Sequence, residues 1–318
     1  MDETSSDTGW RGSMDGWLEA AYDALLRDVS RRTGELMAHW MAVGFMHGVM
    51  NTDNLSITGS TLDFGPFGFL ERFVPDWINN HSDQQGRYVY QNQPSIAHWN
   101  LWVWLGQLLR LDLNKQDLQT ALATFEPLFL QYYGAGLAAK LGLSAEQDGV
   151  FELGMQFLNL LKAEKLDYTN SFRQLSADWQ KLRDDCIDVA AFDRFATDYQ
   201  ALIAQHGDTA ERRQAMNRAN PCYILRNQMA QTAIEQAEAG DFSEVDRLFW
   251  LLATPFDVQP ERERPADDLD LEAGENGKAG EGGESAHSSL SQRPETVRTR
   301  RNNALFWSIV KLMRRLEV

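Results

Sequence analysis

The sequence has few basic residues, and this shortage excludes one class of protein. Its 30 Lys and Arg residues stand against 46 Asp and Glu residues, which gives a formal net charge of −16. A protein that coats itself in nucleic acid needs a basic face, so the charge argues against that function. A small anionic ligand is compatible with it, because a local metal ion and a few arginines can hold one inside an acidic protein.

Cysteines and long hydrophobic runs are also scarce. Cys186 and Cys222 cannot by themselves form a disulfide framework or a four-ligand zinc site, and neither lies in a C-x-x-C motif. No stretch reaches the roughly 18 apolar residues that a membrane span requires. The first ten residues, MDETSSDTGW, are acidic and polar, whereas a secretory or mitochondrial leader begins with basic residues. These observations predict a soluble cytoplasmic protein without a transmembrane segment.

Apolar residues at helical spacing are abundant. Hydrophobic residues make up 43% of the 318 residues, enough for a sizeable core. The periodicity predicts one or two helices over residues 17–46 and mostly helices over residues 96–252. Breaks are expected near Asn114, residues 142–148, Ser176, Asp208 and Asn220, with Pro221 in the first turn of a helix. We therefore expect a mainly α fold.

The region between these helical stretches has a different character. Residues 55–57 and 61–63 alternate in polarity around a Thr-Gly-Ser turn, which predicts a short β-hairpin and the only well-defined sheet element of the chain. Residues 64–95 are rich in Gly, Pro, Asn and Asp and predict a long loop. Long ordered loops in compact domains are usually functional, so this part of the chain is where we look for chemistry.

The stretch HGVMNTDN, which begins at His47, and the Asp-Phe-Gly that follows it carry the candidate chemistry. Kinase-like phosphotransferases place an Asp two residues after a His, an Asn five residues further on, and then a strand that ends in Asp-Phe-Gly. With His47 as the anchor, the Asn is Asn54 and the Asp-Phe-Gly begins at Asp63. The kinase acid is replaced by Val49, but an acid stands four residues later, at Asp53.

These residue types suit a magnesium site beside a carboxylate. Asn54 and Asp63 offer hard oxygen ligands, and waters and phosphate oxygens can complete the octahedron that Mg²⁺ prefers, with Mn²⁺ as the alternative ion. Asp53, one residue from a ligand, could reach a substrate hydroxyl. A second interpretation treats all three residues only as turn formers and caps. His47 is expected to support the backbone rather than to transfer protons.

Three long segments resemble a known family. They are HGVMNTDNLSITGSTLDFGPFGFLERF, NHSDQQGRYVYQNQPSIAHWNL and NPCYILRNQMAQTAIEQAEAGDFSEVDRLFWLLATPFD, and the chain is similar to the selenoprotein O (YdiU, UPF0061) family over about residues 17–264. The resemblance implies a protein-kinase-like C-lobe, of the pseudokinase type, that transfers AMP from ATP to Ser, Thr or Tyr hydroxyls of proteins. It also implies that the nucleotide binds in an inverted orientation. Asp53 would be the proton acceptor, Asn54 and Asp63 the Mg²⁺ ligands, and Asp63 would also lie against the ATP phosphates.

The resemblance covers only the C-terminal half of family members. They begin with a nucleotide-binding lobe that carries a Gly-rich stretch, a phosphate-binding Lys and several Arg contacts, and we expect that lobe to be missing here. A separate chain could supply it. Two alternatives therefore stay open: a truncated, catalytically inactive remnant or helical interaction module, and a kinase-like phosphotransferase.

These patterns together divide the chain into five segments. We expect a flexible N-terminus over residues 1–14, the kinase-like C-lobe core over residues 15–135, a helical extension over residues 136–258, a disordered acidic linker over residues 259–302 and a short C-terminal helix over residues 303–318. The linker is charged, rich in Gly and nearly free of large apolar residues.

Two further groups of residues have expected roles. His81, Asp83 and Arg87 are expected to order the loop that follows the candidate metal site through hydrogen bonds. Trp99, Trp102 and Trp104 form a dense aromatic group at the start of a predicted helix, and we expect them to pack in the core.

Overall fold

The computed structural model describes residues 7–264 apart from residues 112 and 206, without the side chains of residues 7–16 and 19. The expected C-terminal helix, most of the expected acidic linker and residues 1–6 lie outside the described residues. Within them the protein is mainly helical, as predicted. No described helix is long and apolar enough to cross a lipid bilayer.

Helices and two short strands follow one another along the described chain. The order is α1 (Asp7–Val43), β1 (Phe45–Met46), a 3₁₀ turn (Thr52–Asn54), β2 (Gly68–Phe69), a second 3₁₀ turn (Tyr90–Asn92), α2 (Gln93–Leu108), a third 3₁₀ turn (Leu109–Leu111), α3 (Lys115–Ala123), α4 (Phe125–Leu141), α5 (Val150–Glu164), α6 (Tyr168–Ala177), α7 (Trp179–Asp184), α8 (Val189–Ala204), α9 (Ala210–Ala219), α10 (Asn227–Glu238) and α11 (Ser243–Leu251). Helix α1 begins inside the segment that was expected to be flexible.

Capping residues set several of the helix boundaries. The Asn114 side chain accepts a hydrogen bond from the backbone N–H of Gln116 and starts α3, while Gly142 ends α4 in the left-handed conformation with φ 66°. Both breaks were predicted from the sequence. The prediction for Pro221 was wrong, because it follows the end of α9 and no helix starts there. Asn220 takes an extended backbone, which is the conformation favoured before proline.

The predicted hairpin is replaced by a different sheet. Among the described residues the strands are β1 and β2, paired antiparallel with Phe45 opposite Phe69 and Met46 opposite Gly68. They enclose residues 47–67, which we call the site loop. Its two ends are therefore held side by side.

Residues 55–63, within the site loop, form turns instead of strands. The Thr58 hydroxyl lies within hydrogen-bond distance of the Ser56 and Ser60 hydroxyls, and the Gly59 N–H donates to the Ser56 carbonyl. Such local bonds compete with a strand ladder, which explains why the alternating pattern was misleading. The returning segment is bound by side chains instead, since Trp40 Nε1 donates to Thr61 Oγ1 at 3.1 Å.

Contacts divide the chain into two compact units, one up to Asn220 and one from Pro221 onward. The main hydrophobic core of the first unit draws on residues from Ala38 to Met216. The expected boundary after residue 135 falls inside α4, whose Tyr133, Leu137 and Leu141 all belong to this core. The structure therefore shows no division at that point, because one buried helix face crosses it.

The second unit contains α10, α11 and, among the described residues, the chain that follows them up to residue 264. Residues 259–264 were expected to begin the disordered linker but are packed in this unit. Gln259 is buried, and its Nε2 donates to the carbonyl oxygens of Leu251 and Thr254. Glu244, also buried, forms ion pairs with Arg247 and Arg264. Polar and charged contacts thus hold the chain beyond α11 against this unit.

Candidate active site

The site loop contains all three residues predicted to carry the chemistry, and the structure places two of them in contact. Asn54 Nδ2 donates a hydrogen bond to Asp63 Oδ2 at 3.0 Å, although the residues are nine positions apart. Asp53 immediately precedes Asn54, so all three side chains belong to one region. The closure comes from the β1–β2 pair and side-chain contacts, rather than from the expected hairpin.

The orientation of Asn54 leaves its amide oxygen available. Its Nδ2 also donates to the Val49 carbonyl oxygen at 2.8 Å, so both amide protons have acceptors. The remaining oxygen, Oδ1, is a hard ligand atom, as are the carboxylate oxygens of Asp63. These two side chains fit a magnesium-type ion that takes its other ligands from water and phosphate. Among the described residues there is no group of three or more His, Cys, Asp or Glu side chains arranged for a metal ion.

Asp53 lies in the 3₁₀ turn and its side chain is exposed. The turn is capped by Asn51, whose Oδ1 accepts hydrogen bonds from the backbone N–H groups of Asp53 at 3.1 Å and Asn54 at 3.2 Å. Capping fixes the backbone while the Asp53 carboxylate stays accessible to a substrate. A second carboxylate, Asp63, is likewise exposed.

Asp63 has an unusual backbone conformation. Its φ is 55°, and among the described residues only Lys165 is another non-glycine residue with positive φ. The Gly65 N–H donates to the Asp63 carbonyl at 2.8 Å, which closes a tight turn. A non-glycine residue in this region costs free energy, and such strain concentrates at functional sites. No motif in the sequence predicted the positive φ of Asp63.

His47 connects the start of the site loop to the residue before Asp63. One ring nitrogen, Nε2, lies 2.5 Å from the Leu62 carbonyl oxygen, and the other, Nδ1, accepts from the Val49 N–H at 3.3 Å. Burial lowers the pKa of His47, so the ring is neutral and Nε2 carries the proton. His47 therefore supports the backbone, as expected from the sequence.

Aromatic packing fixes the Asp-Phe-Gly segment. Phe45 of β1 is fully buried, and the Phe64 ring packs edge-on against it with 6.3 Å between centroids. Phe64 also contacts Phe67 at 5.6 Å, while Trp40 covers another side of Phe45 at 5.2 Å. Because Phe64 is held in this cluster, the backbone at the neighbouring Asp63 is fixed as well.

Four residues that the sequence reasoning did not single out also bind the site loop or β1. Asn79 donates to the carbonyl of Met46, Asn80 to that of Gly48, Gln93 to that of Phe45 and Asn100 to those of Met50 and Asn51. Gln93 and Asn100 lie seven residues apart on α2, which places them on one helix face. Two amides seven residues apart in a mostly apolar helix are the sequence signal that could have found them.

The loop before α2 is ordered by Asp83, as predicted. Its carboxylate accepts the backbone N–H groups of Arg87 at 2.9 Å and Tyr88 at 2.7 Å. The Arg87 guanidinium lies 4.7 Å from the centroid of the Trp99 ring, which adds a cation–π contact. His81 is exposed, and no described hydrogen bond shows it ordering the loop.

The expectation that the three tryptophans of α2 pack in the core was wrong for two of them. Trp99 is 40% exposed and Trp102 is 59% exposed, whereas Trp104 is partly buried against a small core cluster. The buried face of α2 is formed instead by Ala97, Leu101 and Leu105. Aromatic density suggested burial, but the helical spacing of the small and aliphatic residues decides it.

Comparison with known proteins assigns the family. A family model described as protein adenylyltransferase SelO matches residues 12–252, which includes the whole site loop. The chain belongs to the SelO family. This confirms the resemblance found in the sequence, and the site residues are thus found within a region that the family shares.

Curated members of the SelO family give the same assignment. Proteins named protein nucleotidyltransferase YdiU are similar to this chain: 48% identical over 250 residues in Pectobacterium atrosepticum, 47% over 249 residues in Yersinia pseudotuberculosis and 46% over 257 residues in Herminiimonas arsenicoxydans. The matches cover 76%, 76% and 78% of this chain and 51% of each relative. The chain thus spans about half the length of the curated relatives it matches.

Proposed function

We propose that this chain carries the catalytic and metal-binding half of a protein nucleotidyltransferase of the pseudokinase type, built on a protein-kinase-like C-lobe. It would transfer AMP from ATP to Ser, Thr or Tyr hydroxyls of proteins, in the cytoplasm. The observation that carries the proposal is the contact between Asn54 and Asp63, next to the exposed Asp53, in a chain of the SelO family. Cys186 and Cys222 are both free, which fits a reducing compartment such as the cytoplasm.

Asn54 and Asp63 would hold a Mg²⁺ or Mn²⁺ ion together with the ATP phosphates. The amide oxygen of Asn54 and the carboxylate of Asp63 are hard ligands, and one or two such groups plus phosphate oxygens are the usual environment of protein-bound Mg²⁺. When bound, the ion would neutralise part of the negative charge of the phosphates. Asp63 would lie against the phosphates through that ion.

Asp53 would act as the general base. Its exposed carboxylate would accept the proton of the acceptor hydroxyl while the hydroxyl oxygen forms a bond to the α-phosphorus of ATP. The bond from that phosphorus to the bridging oxygen breaks, and pyrophosphate leaves. Val49, at the kinase acid position, cannot accept a proton through its side chain, and its backbone is bound by His47 and Asn54.

Other phosphate contacts would come from residues outside this sequence. Two ligands leave most of the triphosphate charge unpaired, and tight binding normally adds Lys and Arg contacts. We propose that Lys and Arg residues of a separate chain supply them. Without them we expect weak ATP binding and slow transfer by this chain, and a chain that shows neither would be an inactive remnant or an interaction module.

Label transfer from ATP tests the proposed reaction. We expect label from α-labelled ATP, but not from γ-labelled ATP, to appear on protein when the chain is incubated with Mg²⁺ or Mn²⁺. Asp53→Ala should abolish the transfer, whereas Asp76→Ala, which removes another exposed acid outside the site loop, should retain it. Label from the γ position alone would favour a phosphotransferase. Absence of both labels, with no rise in melting temperature on adding Mg-ATP, would favour the inactive remnant.

A further inference from the structure

Side-chain amides bind the backbone of seven consecutive residues, from β1 into the site loop. They belong to Asn54, Asn79, Asn80, Gln93 and Asn100, which we call the carboxamide set. Gln93 donates to the Phe45 carbonyl and accepts from the His47 N–H, both at 2.9 Å. The other four amides donate to backbone carbonyls: Asn79 to Met46 at 3.0 Å, Asn80 to Gly48 at 3.1 Å, Asn54 to Val49 at 2.8 Å, and Asn100 to Met50 at 3.1 Å and to Asn51 at 3.4 Å.

The chemistry of the carboxamide set suits a site for a cation and phosphates. An amide has two donor protons and one acceptor oxygen, so it can bind backbone carbonyls while adding no net charge. A Lys or Arg in the same place would repel a cation at Asn54 and Asp63, and an Asp or Glu would not donate. Neutral donors therefore fix this stretch without altering the field that the acidic residues produce.

Asn100 is the member whose presence packing alone does not explain. It is 2% exposed, and its Nδ2 donates to two carbonyls, but its buried Oδ1 has no hydrogen-bond partner among the described residues. An unsatisfied buried oxygen lowers stability, so an apolar residue would pack with less cost if shape were the only demand. The donor group of Asn100 is what the position requires.

The bonds of Asn100 lead directly to the proposed catalytic residues. Asn100 binds the carbonyl of Asn51, and the Asn51 side chain in turn caps the turn that carries Asp53 and Asn54. We propose that Asn100 is a positioning residue, which holds the Met50 and Asn51 carbonyls so that the turn carrying Asp53 stays in place and Asn54 stays in contact with Asp63. The catalytic role of this positioning rests on the proposed function, but the positioning itself can be measured without catalysis.

Asn220 provides a closely matched control. It is also fully buried, its Nδ2 also donates to two backbone carbonyls, those of Lys140 and Met216, and its Oδ1 also has no partner among the described residues. These carbonyls lie in α4 and α9, and neither belongs to the site loop. Asn220→Leu should therefore reproduce the loss of two hydrogen bonds without affecting Asp53 or Asn54.

Hydrogen–deuterium exchange on the full chain tests the positioning. Asn100→Leu should accelerate exchange of the Asp53 and Asn54 amides by about tenfold, the factor expected when a hydrogen bond that fixes a segment is lost. Asn220→Leu should leave these two amides unchanged at a similar loss of melting temperature. If Asn100→Leu does not fold, Asn100→Ser removes the same donor and leaves room for water. Unchanged or equal exchange in the two variants would overturn the proposal.

Mn²⁺ affinity is a second measurement, and a loss of stability alone does not change it. The electron paramagnetic resonance signal of the free ion reports how much Mn²⁺ is bound. We expect Asn100→Leu to weaken binding by roughly 10-fold to 100-fold, as is usual when a supporting residue of a metal site is lost. Asn220→Leu should bind as the wild type does. Equal weakening in both variants would contradict a positioning role. If the wild-type chain binds no Mn²⁺, the proposed metal site fails, and the exchange experiment still decides the positioning.

Discussion

At the scale of single residues, the candidate site depends on a few side chains whose surroundings define their state. Asn54 has both amide protons bound, His47 is kept neutral by burial, and Asp63 is held at positive φ. The proximity of Asn54 to Asp63 could be predicted from the sequence because their spacing is typical of kinase-like loops. The conformation of Asp63 could not, because it results from the contacts of Phe64 and Leu62 with distant residues.

The strain at Asp63 predicts an inverted order of stability for two substitutions. Both Asp63→Gly and Asp63→Ala remove the carboxylate and its bond to Asn54, but only glycine adopts a φ of 55° at no cost. We expect the Gly variant to be more stable than the Ala variant by about 1 kcal/mol, opposite to the usual order in helices. Urea denaturation measures the difference. An Ala variant of equal or greater stability would show that the backbone is not strained.

Lys140 predicts a dependence of stability on pH. The side chain lies in α4, is 2% exposed, and its Nζ is 4.2 Å from the centroid of the Phe172 ring. Burial lowers the pKa of Lys140 to about 7, whereas the unfolded chain has the ordinary value near 10.5. Between these values the unfolded state binds the extra proton, so the free energy of unfolding rises with pH.

The change from pH 7 to pH 9 should raise the free energy of unfolding by roughly 2 kcal/mol. Lys140→Met, which has a similar volume and no charge, should remove this rise and be the more stable protein at pH 7. Chemical denaturation at several pH values measures both effects. A wild-type curve parallel to that of Lys140→Met would mean that Lys140 titrates normally in the folded protein.

At the scale of elements, local sequence signals predicted where helices stop but not how the site loop closes. Asn114 begins α3 and Gly142 ends α4 through bonds with residues close by in the chain, so the local sequence is enough to predict these boundaries. The sheet, in contrast, pairs residues about 20 positions apart. Strands of two residues carry no pattern of their own, and the alternation in residues 55–63 is used for side-chain bonds within turns. Four of the five amides that hold the loop come from residues 79–100 and were missed for the same reason.

The close approach of Asn79 to the site loop predicts the effect of a methyl group at Gly48. Gly48 has φ 81°, and a Cβ there would lie 2.8 Å from Asn79 Oδ1. Gly48→Ala should therefore lower stability by roughly 1–3 kcal/mol, through backbone strain and displacement of Asn79. Gly65→Ala is the control in the same loop, because a Cβ at Gly65 would meet no atom within 4 Å. Thermal denaturation of both variants checks this, and equal melting temperatures would contradict the close packing.

At the scale of the whole molecule, composition and periodicity predicted a mainly helical protein, and the family followed from long motifs. The expected boundary after residue 135 was not found, because periodicity does not reveal which helices share a core. Helix α4 crosses that point with Tyr133 and Leu137 in the same core. The chain spans about half the length of the curated relatives it matches.

The proposed transfer of AMP, with Asp53 as the general base, can be measured by mass spectrometry of proteins incubated with the chain, ATP and Mg²⁺. We expect a mass increase of one AMP on Ser, Thr or Tyr residues, absent with Asp53→Ala and retained with Asp76→Ala. An increase of one phosphate instead, or an AMP adduct that Asp53→Ala still forms, would contradict it.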